Sequence, residues 1–237
     1  MREQVACIYK CHFIHFLLAK YNRKVDTIKK YLNACDTSGV DIVVMDLSKW
    51  FKKAVRDVLG DPLIIADRLH FMRQVYWALD EVRRDVQGDL DKKSRIQMKR
   101  RKKLLWKSHY ALDEEQREKV ERLLQIDPRL REAYQLKNRM ERWFRESDKE
   151  TAAKNLDQCL KVLKASKIEG FKRVYRTFMN WRQEIIQAFM YPFNNGYIEG
   201  VNNTIKVIKR NSYGIKSFER MRDKILWNQE IKKVMGS

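Results

Sequence analysis

Residues 40–46, VDIVVMD, decide the fold class of this chain. The stretch is short, rich in β-branched residues and without alternation of apolar and polar residues, which is typical of a strand covered on both faces. The apolar residues that follow recur at helical spacing as far as Gly60, a natural helix end. Residues 61–67, DPLIIAD, then give a turn and a second buried strand. Together these segments predict a βαβ unit with two parallel strands.

Each predicted strand ends in an aspartate, Asp46 or Asp67. In open parallel sheets the functional crevice lies beyond the carboxyl ends of the strands, where both residues stand. Each aspartate also stands where it could cap the next helix, and for Asp46 the spacing favours that role. The two strand ends are therefore candidates for a site, with helix capping as the alternative.

The rest of the chain reads as mostly helical. Residues 25–32 carry apolar side chains at helical spacing, and residues 71–190 predict one helix after another. Asp113, three residues before Gln116, forms a capping-box arrangement at the start of one of them. Few residues interrupt helices, since the 237-residue chain contains only 8 Gly and 3 Pro.

The composition indicates a polyanionic partner. A formal net charge of +20 comes from 51 basic and 31 acidic residues, and such an excess favours nucleic acid ahead of an anionic membrane surface. No apolar run is long enough to span a bilayer, so we expect a cytoplasmic protein without membrane partners. An unbroken basic run predicts phosphate contact, with a solvated helix face as the alternative; it comprises Lys99, Arg100, Arg101, Lys102 and Lys103.

The segment CIYKCHFIH places four potential zinc ligands close together: Cys7, Cys11, His12 and His15. Their spacing fits no standard zinc finger. Buried thiols and ordinary histidines are therefore the preferred interpretation, and a metal site is the alternative.

A helix predicted after Gly196 has two distinct faces. One face packs on a core through Val201, Ile205 and Ile208. The other face presents Glu199, Asn202, Asn203, Lys206, Lys209 and Arg210. A carboxylate at the head of a cationic face would repel phosphate unless a divalent metal ion lay between them. A surface helix with mixed charges is the alternative.

Three stretches together resemble bacterial insertion-sequence transposases of the ISL-three group: residues 43–51 (VVMDLSKWF), 66–84 (ADRLHFMRQVYWALDEVRR) and 194–226 (NNGYIEGVNNTIKVIKRNSYGIKSFERMRDKIL). The resemblance implies an α/β protein, mostly α overall, with a partial RNase H-like (DDE) core and a large all-helical insertion. It implies four parts: an unmatched N-terminal segment (1–22), the βαβ part of the core (23–72), the helical insertion (73–190) and C-terminal helices carrying the third acid (191–237).

The resemblance also implies roles for individual residues. In the family, two Asp and one Glu bind two divalent ions, Mg²⁺ or Mn²⁺, and Asp46 matches the second of these acids while Glu199 matches the third. Both are thereby implied to be catalytic and metal-binding. Supporting residues would be Asp67, His70, Asn202 and Asn203. DNA-binding residues would be Lys206, Lys209 and Arg210, together with the basic run.

One expected feature of the family is missing. The first catalytic Asp should lie on a first strand, yet only Asp26, Asp36 and Asp41 precede Asp46, and none follows a plausible first strand. We therefore expect an incomplete, N-terminally truncated copy that is inactive alone. We also expect its sheet to lack its first strands, with an exposed edge unless the N-terminal segment or a partner covers it.

The leading hypothesis is a transposase DDE-domain protein that acts on the double-stranded DNA of element ends by metal-dependent phosphodiester cleavage and strand transfer. The alternative is a non-catalytic remnant that binds DNA or dimerises and modulates a full-length transposase. Its protein partners would then be a second copy of itself or the full-length relative. A helical interaction protein without a DNA role is a third class.

Overall fold

The computed structural model describes residues 4–10, 13–19, 25–34, 37 and 39–193, together with residues 207, 208, 210–212, 217, 220, 224 and 227. The chain divides into two compact units, Met1–Phe193 and Asn194–Ser237. The strands of the first unit, within these described residues, are β1 (Gln4–Lys10), β2 (Phe13–Ala19), β3 (Val40–Met45) and β4 (Leu63–Ala66).

The described helices of the first unit follow in chain order. They are α1 (Val25–Ala34), α2 (Lys49–Leu59), α3 (Arg68–Gly88), α4 (Lys92–Arg100), α5 (Lys102–Trp106), α6 (Glu114–Leu124), α7 (Pro128–Glu146), α8 (Ala152–Ala165), α9 (Glu169–Asn180) and α10 (Arg182–Met190). A single 3-10 turn, His109–Ala111, lies between α5 and α6. Within the described residues the fold is thus mostly α, as predicted, with one small sheet.

The sheet confirms the parallel pair and corrects the expectation about its first strands. Its strand order is β2-β1-β3-β4. Strands β3 and β4 are parallel, with Met45 level with Ala66, and β1 is antiparallel to both β2 and β3. The expectation that no earlier strand accompanies β3 is wrong, because β1 pairs with it and β2 pairs with β1. The N-terminal segment therefore covers this edge of β3, which is the exception that the expectation allowed. The residues between β1 and β2 in the sequence, Cys11 and His12, are not typical turn formers, so no hairpin was predicted there.

Capping hydrogen bonds and a glycine explain where α2 begins and ends and where α6 begins. Ser48 caps α2, and its hydroxyl oxygen accepts a hydrogen bond from Phe51 N–H at 3.3 Å. Gly60 ends that helix with φ of 77°, a left-handed conformation that favours glycine. The Asp113 carboxylate accepts a hydrogen bond from Gln116 N–H at 2.8 Å, which confirms the predicted cap of α6.

The long helix α3 forms the centre of the helical region. Phe71, Val75 and Leu79 on α3 are fully buried, and the helix packs against α7 and α9. Burying side chains of this size contributes about 2 kcal/mol each. An aromatic cluster joins α3, α7, α9 and α10, with ring centroids between 5.1 and 6.4 Å apart; its members are Phe71, Trp143, Phe144, Phe178 and Phe189.

Helix α10 returns the chain to the sheet. It packs against β4, and its Ala188 carbonyl accepts a hydrogen bond from Arg68 Nε at 3.0 Å. The buried Glu184 carboxylate forms an ion pair with Lys52 of α2, whose ammonium also lies 4.8 Å from the centre of the Trp181 ring. The helical region is therefore tied to the βαβ unit at the start of α3 and again through α10. The predicted part boundaries at 22, 72 and 190 stay predictions.

The described residues of the second unit agree with part of the predicted two-faced helix. Residues 207, 208, 210 and 211 are helical. Ile208 is buried as predicted, Arg210 is exposed, and the Ser212 hydroxyl donates a hydrogen bond to the Ile208 carbonyl oxygen at 2.6 Å. The other predicted site residues of this unit lie outside the described residues: Glu199, Asn202, Asn203, Lys206 and Lys209.

Candidate functional site

The carboxyl edge of the parallel pair brings Asp46 and Asp67 together. Each residue directly follows one of two paired residues, Met45 on β3 or Ala66 on β4. Asp67 N–H donates a hydrogen bond to the Met45 carbonyl oxygen at 2.8 Å. Because neighbouring strands lie about 4.8 Å apart, the two aspartates stand beside each other on the backbone. The sequence predicted this proximity correctly.

Asp67 is bound into the start of α3. Its side chain is 6% exposed, and its Oδ1 accepts hydrogen bonds from the backbone N–H of His70 at 3.0 Å and from His70 Nδ1 at 2.8 Å. Burial raises the pKa of the Asp67 carboxyl, but the hydrogen bonds and charge of His70 outweigh it, so that this pKa lies below its ordinary value of 3.8. Asp67 is therefore an ionised helix cap with a histidine partner.

Asp46 occupies the same position on its strand but does not cap its helix. Helix α2 begins at Lys49, so the capping position falls to Ser48. Ser48 N–H donates to the Asp46 carbonyl oxygen at 2.8 Å, which turns the chain between strand and helix. The capping interpretation of Asp46 is thus wrong, because two residues separate this half-buried carboxylate from the helix.

A cationic pocket of about 330 Å³ opens next to this edge. Leu47, the residue after Asp46, lines this pocket together with three basic side chains, Lys49, Arg173 and Arg176. Sequence reasoning missed Arg173 and Arg176. Their spacing of three residues, on a helix that buries Phe171, could have placed both on the opposite, solvent-facing side.

The basic run predicted to bind DNA does not form one helix face. Helix α4 ends at Arg100 and α5 begins at Lys102, so the run spans a junction between helices. Lys99, Arg100 and Lys103 are exposed. Lys102 instead lies 3.2 Å from the Asp80 carboxylate and 4.5 Å from the centre of the Trp106 ring.

The described residues supply only part of a metal site. Within them, no three His, Cys, Asp or Glu side chains lie close enough together to hold a metal ion. Glu199, the implied second ligand, lies outside the described residues, as do Cys11 and His12 of the alternative zinc site. Asp46 offers the hard carboxylate oxygens that Mg²⁺ and Mn²⁺ prefer. Of the two implied ligands, the one that the structure describes therefore suits these ions.

Comparison with known proteins supports the resemblance. A family model described as "Transposase", that of the ISL3 group of DDE transposases, matches residues 3–225. The match includes most of residues 1–22, the segment that was expected to be unmatched. No solved structure matches the chain.

Three curated relatives illustrate the similarity. The "ATP-dependent protease" of Lactococcus lactis subsp. lactis is 34% identical over 107 residues, which cover 45% of this chain and 33% of that protein. The "Transposase for insertion sequence element IS1001" of Bordetella parapertussis is 26% identical over 187 residues, 76% of this chain and 45% of that protein. The "Transposase for insertion sequence element IS1557" of Mycobacterium tuberculosis (strain CDC 1551 / Oshkosh) is 25% identical over 209 residues, 78% of this chain and 47% of that protein.

The chain spans less than half the length of each of these relatives. The described helices include none long and apolar enough to cross a membrane. The family model, however, covers nearly all of the chain, with the strand ends at Asp46 and Asp67 inside the matched range. The chain therefore belongs to the ISL3 family of DDE transposases.

Proposed function

We propose that the chain takes part in DNA transposition by an insertion sequence, through metal-dependent cleavage and strand transfer at phosphodiester bonds of the element ends. The observation that carries the proposal is the placement of Asp46. Its carboxylate stands at the carboxyl end of β3, and Ser48 performs the capping for which the sequence had suggested Asp46. The carboxyl ends of parallel strands are where the functional crevice of such sheets lies, so the position of this carboxylate suits ligand binding.

The proposed roles follow the family pattern. Asp46 and Glu199 would hold Mg²⁺ or Mn²⁺, which when bound supplies Lewis-acid stabilisation of the attacking and leaving oxygens. Asp67 and His70 position the strand end through their hydrogen bond. Asn202 and Asn203 would support the same site. The basic residues Lys206, Lys209 and Arg210 and the run from Lys99 to Lys103 would contact DNA phosphates.

The same proposal includes an RNase H-like core. Its support is a mixed sheet in which an antiparallel hairpin precedes a parallel pair, with acids at the carboxyl edge of that pair. A large helical region follows β4 before α10 returns to the sheet.

We further infer that this chain supplies two of the three family acids. Asp26 is exposed in the first turn of α1 and Asp41 is exposed within β3. Neither stands at the carboxyl end of a described strand, and Asp36 lies outside the described residues. A site with fewer carboxylates offsets the dehydration of its ions less well, so we expect this polypeptide alone to cleave DNA poorly.

Metal-dependent DNA binding tests the proposal without requiring turnover. We expect Mn²⁺ to raise the affinity of the chain for duplex DNA that carries element ends, because the ion would bridge carboxylate and phosphate. Asp46→Asn and Glu199→Gln should abolish this gain. Asp61→Asn, an exposed aspartate at the amino end of β4, should keep it.

Retention of the Mn²⁺-dependent gain in Asp46→Asn would contradict the assignment. Vigorous cleavage of terminal inverted-repeat DNA by the unmodified chain alone would contradict the inference that its set of acids is incomplete.

A second candidate function is a DNA-binding or dimerising remnant that modulates a full-length transposase. The observation that favours it is that neither Asp26 nor Asp41, which precede Asp46, stands at the carboxyl end of a described strand. DNA affinity that is the same with and without Mn²⁺, in the unmodified chain, would select this candidate. Sedimentation of the chain alone and mixed with a full-length relative would show whether the partner is a second copy or that relative.

The name of the Lactococcus relative, "ATP-dependent protease", does not support a protease or ATP-binding function for this chain. The matched stretch covers 33% of that protein. The sequence of our chain also contains no G-x-x-x-x-G-K-[ST] loop of the kind that cradles ATP phosphates.

A further inference from the structure

A groove runs along α9 away from the candidate site, and we call it the α9 groove. It consists of the pocket of about 330 Å³ beside Leu47 and a second pocket of about 480 Å³ between α9 and α3. Arg173 and Thr177 line both pockets, so the two adjoin each other along α9. The groove therefore extends from the residue after Asp46 to Lys102, a member of the basic run.

Basic side chains predominate in the α9 groove. Five basic residues line it, namely Lys49, Arg84, Lys102, Arg173 and Arg176, against the two acidic residues Asp80 and Glu81. The Asp80 carboxylate is already neutralised, because it lies 2.7 Å from Arg83 Nε, 3.6 Å from Arg84 Nε and 3.2 Å from Lys102 Nζ. Burial raises the pKa of the Asp80 carboxyl, but Arg83 and Lys102 outweigh this effect and hold that pKa below its ordinary value. The groove thus presents a net positive surface.

Close packing fixes the position of α9. A Cβ atom at Gly170 would lie 3.3 Å from the Cα and Cβ of Ala78, so the two helices approach through their backbones at this point. Arg173 and Arg176 follow one and nearly two turns later on the same helix. The two guanidinium groups are therefore carried by a rigid element.

Both arginines have partners that a phosphate can replace. Arg173 pairs with Glu81, and Arg176 pairs with Glu169 at 2.5 Å. All four side chains are between 39% and 61% exposed. Exposed ion pairs contribute little to stability, whereas arginine binds phosphate through paired, charge-assisted hydrogen bonds. Exchange of a carboxylate for a phosphate oxygen is therefore energetically accessible.

The dimensions of the α9 groove fit a DNA backbone. From Gly170 to Asn180 the helix rises about 15 Å, at about 1.5 Å per residue. The backbone of one strand winds around the duplex axis, so neighbouring phosphates lie farther apart than their axial spacing of about 3.4 Å, and fewer than about four of them match this length. We propose that the α9 groove binds the phosphate backbone of one strand of duplex DNA and leads it to the edge at Asp46. This inference rests on the proposed function, because it names the path of that substrate.

Salt-dependent DNA binding by the full chain tests this path. Arg173→Gln/Arg176→Gln should weaken binding and reduce the slope of log Kd against log salt by about 1.8, since each lost phosphate contact accounts for about 0.9. The matched control is Arg122→Gln/Arg131→Gln on α6 and α7. These arginines are also exposed and paired with glutamates, but they do not line the α9 groove. The control should change the slope by less than half as much.

A charge-conserving variant separates contact from misfolding. Arg173→Lys/Arg176→Lys keeps both cations and should retain most of the slope. Equal slopes for the groove and control double variants would overturn the path while leaving DNA binding intact. If the unmodified chain binds duplex DNA without salt dependence, both the path and the proposed function fail. If Asp46→Asn loses the Mn²⁺-dependent gain but the groove variants match the control, only the path fails.

Discussion

The ends of β3 and β4 show that one sequence pattern, an aspartate between a strand and a helix, can serve two different roles. Both strands are followed directly by an aspartate and then by a helix, and the two strands end at the same level of the sheet. After β4 the helix begins at once, so Asp67 caps α3 and binds His70. After β3 the helix begins two residues later, so Ser48 caps α2 instead of Asp46.

The difference shows that the distance from an acid to the following helix decides whether the acid stabilises that helix. An N-cap side chain reaches backbone N–H groups only two or three residues further on. Asp67 lies within this distance and contributes to stability. Asp46 lies four residues before Trp50 and five before Phe51, the second and third residues of α2, and we propose that it contributes to function.

The largest expected effect on stability is that of Asp67→Ala. We expect a loss of about 2 kcal/mol, from about 1 kcal/mol for the cap and about 1 kcal/mol for the buried hydrogen bond to His70. Asp46→Ala should lose less than half as much. Urea unfolding of both variants measures the difference, and equal losses would remove the distinction between the two strand ends.

A smaller effect is expected at the cap that replaces Asp46. Ser48→Ala should cost about 1 kcal/mol, because Phe51 N–H loses its acceptor. Ser108→Ala is the matched control, since Ser108 precedes the 3-10 turn but makes no side-chain capping bond there. A larger loss at Ser108 in thermal unfolding would contradict the assigned cap.

The smallest expected effect is a dependence on pH at Asp67. Because its folded-state pKa lies below the ordinary 3.8, ionised Asp67 stabilises the fold fully above that ordinary value. The contribution disappears as the pH falls through the folded pKa. The stability gap between the unmodified chain and Asp67→Asn, which keeps a capping oxygen, should narrow on acidification. A gap that widens in urea titrations at falling pH would contradict the sign of this shift.

Much of the fold could be predicted from short-range patterns. The buried strands, the stop at Gly60 and the cap at Asp113 each follow from local chemistry. The hairpin of β1 and β2 could not be predicted, because its pairing with β3 joins residues far apart in sequence and its short connection has no Gly or Asn. The break in the basic run at Arg101 was missed as well, since no Pro or Gly marks it.

The candidate site could be predicted only in part. The proximity of Asp46 and Asp67 followed from parallel pairing, but which of them caps a helix depended on where α2 begins. The spacing of apolar residues does not show whether a helix begins two residues earlier or later. The α9 groove depends on the packing of α9 against α3 at Gly170 and Ala78, a tertiary contact that sequence spacing does not contain.

Measurement of Mn²⁺ binding tests the central claim that Asp46 serves function while Asp67 serves stability. Electron paramagnetic resonance can report free Mn²⁺ in titrations of the chain in the presence of element-end DNA. Our account predicts that Asp46→Asn loses Mn²⁺ binding yet unfolds at nearly the same urea concentration as the unmodified chain. It predicts that Asp67→Asn unfolds earlier and still binds the ion. Undiminished Mn²⁺ binding by Asp46→Asn would contradict the account.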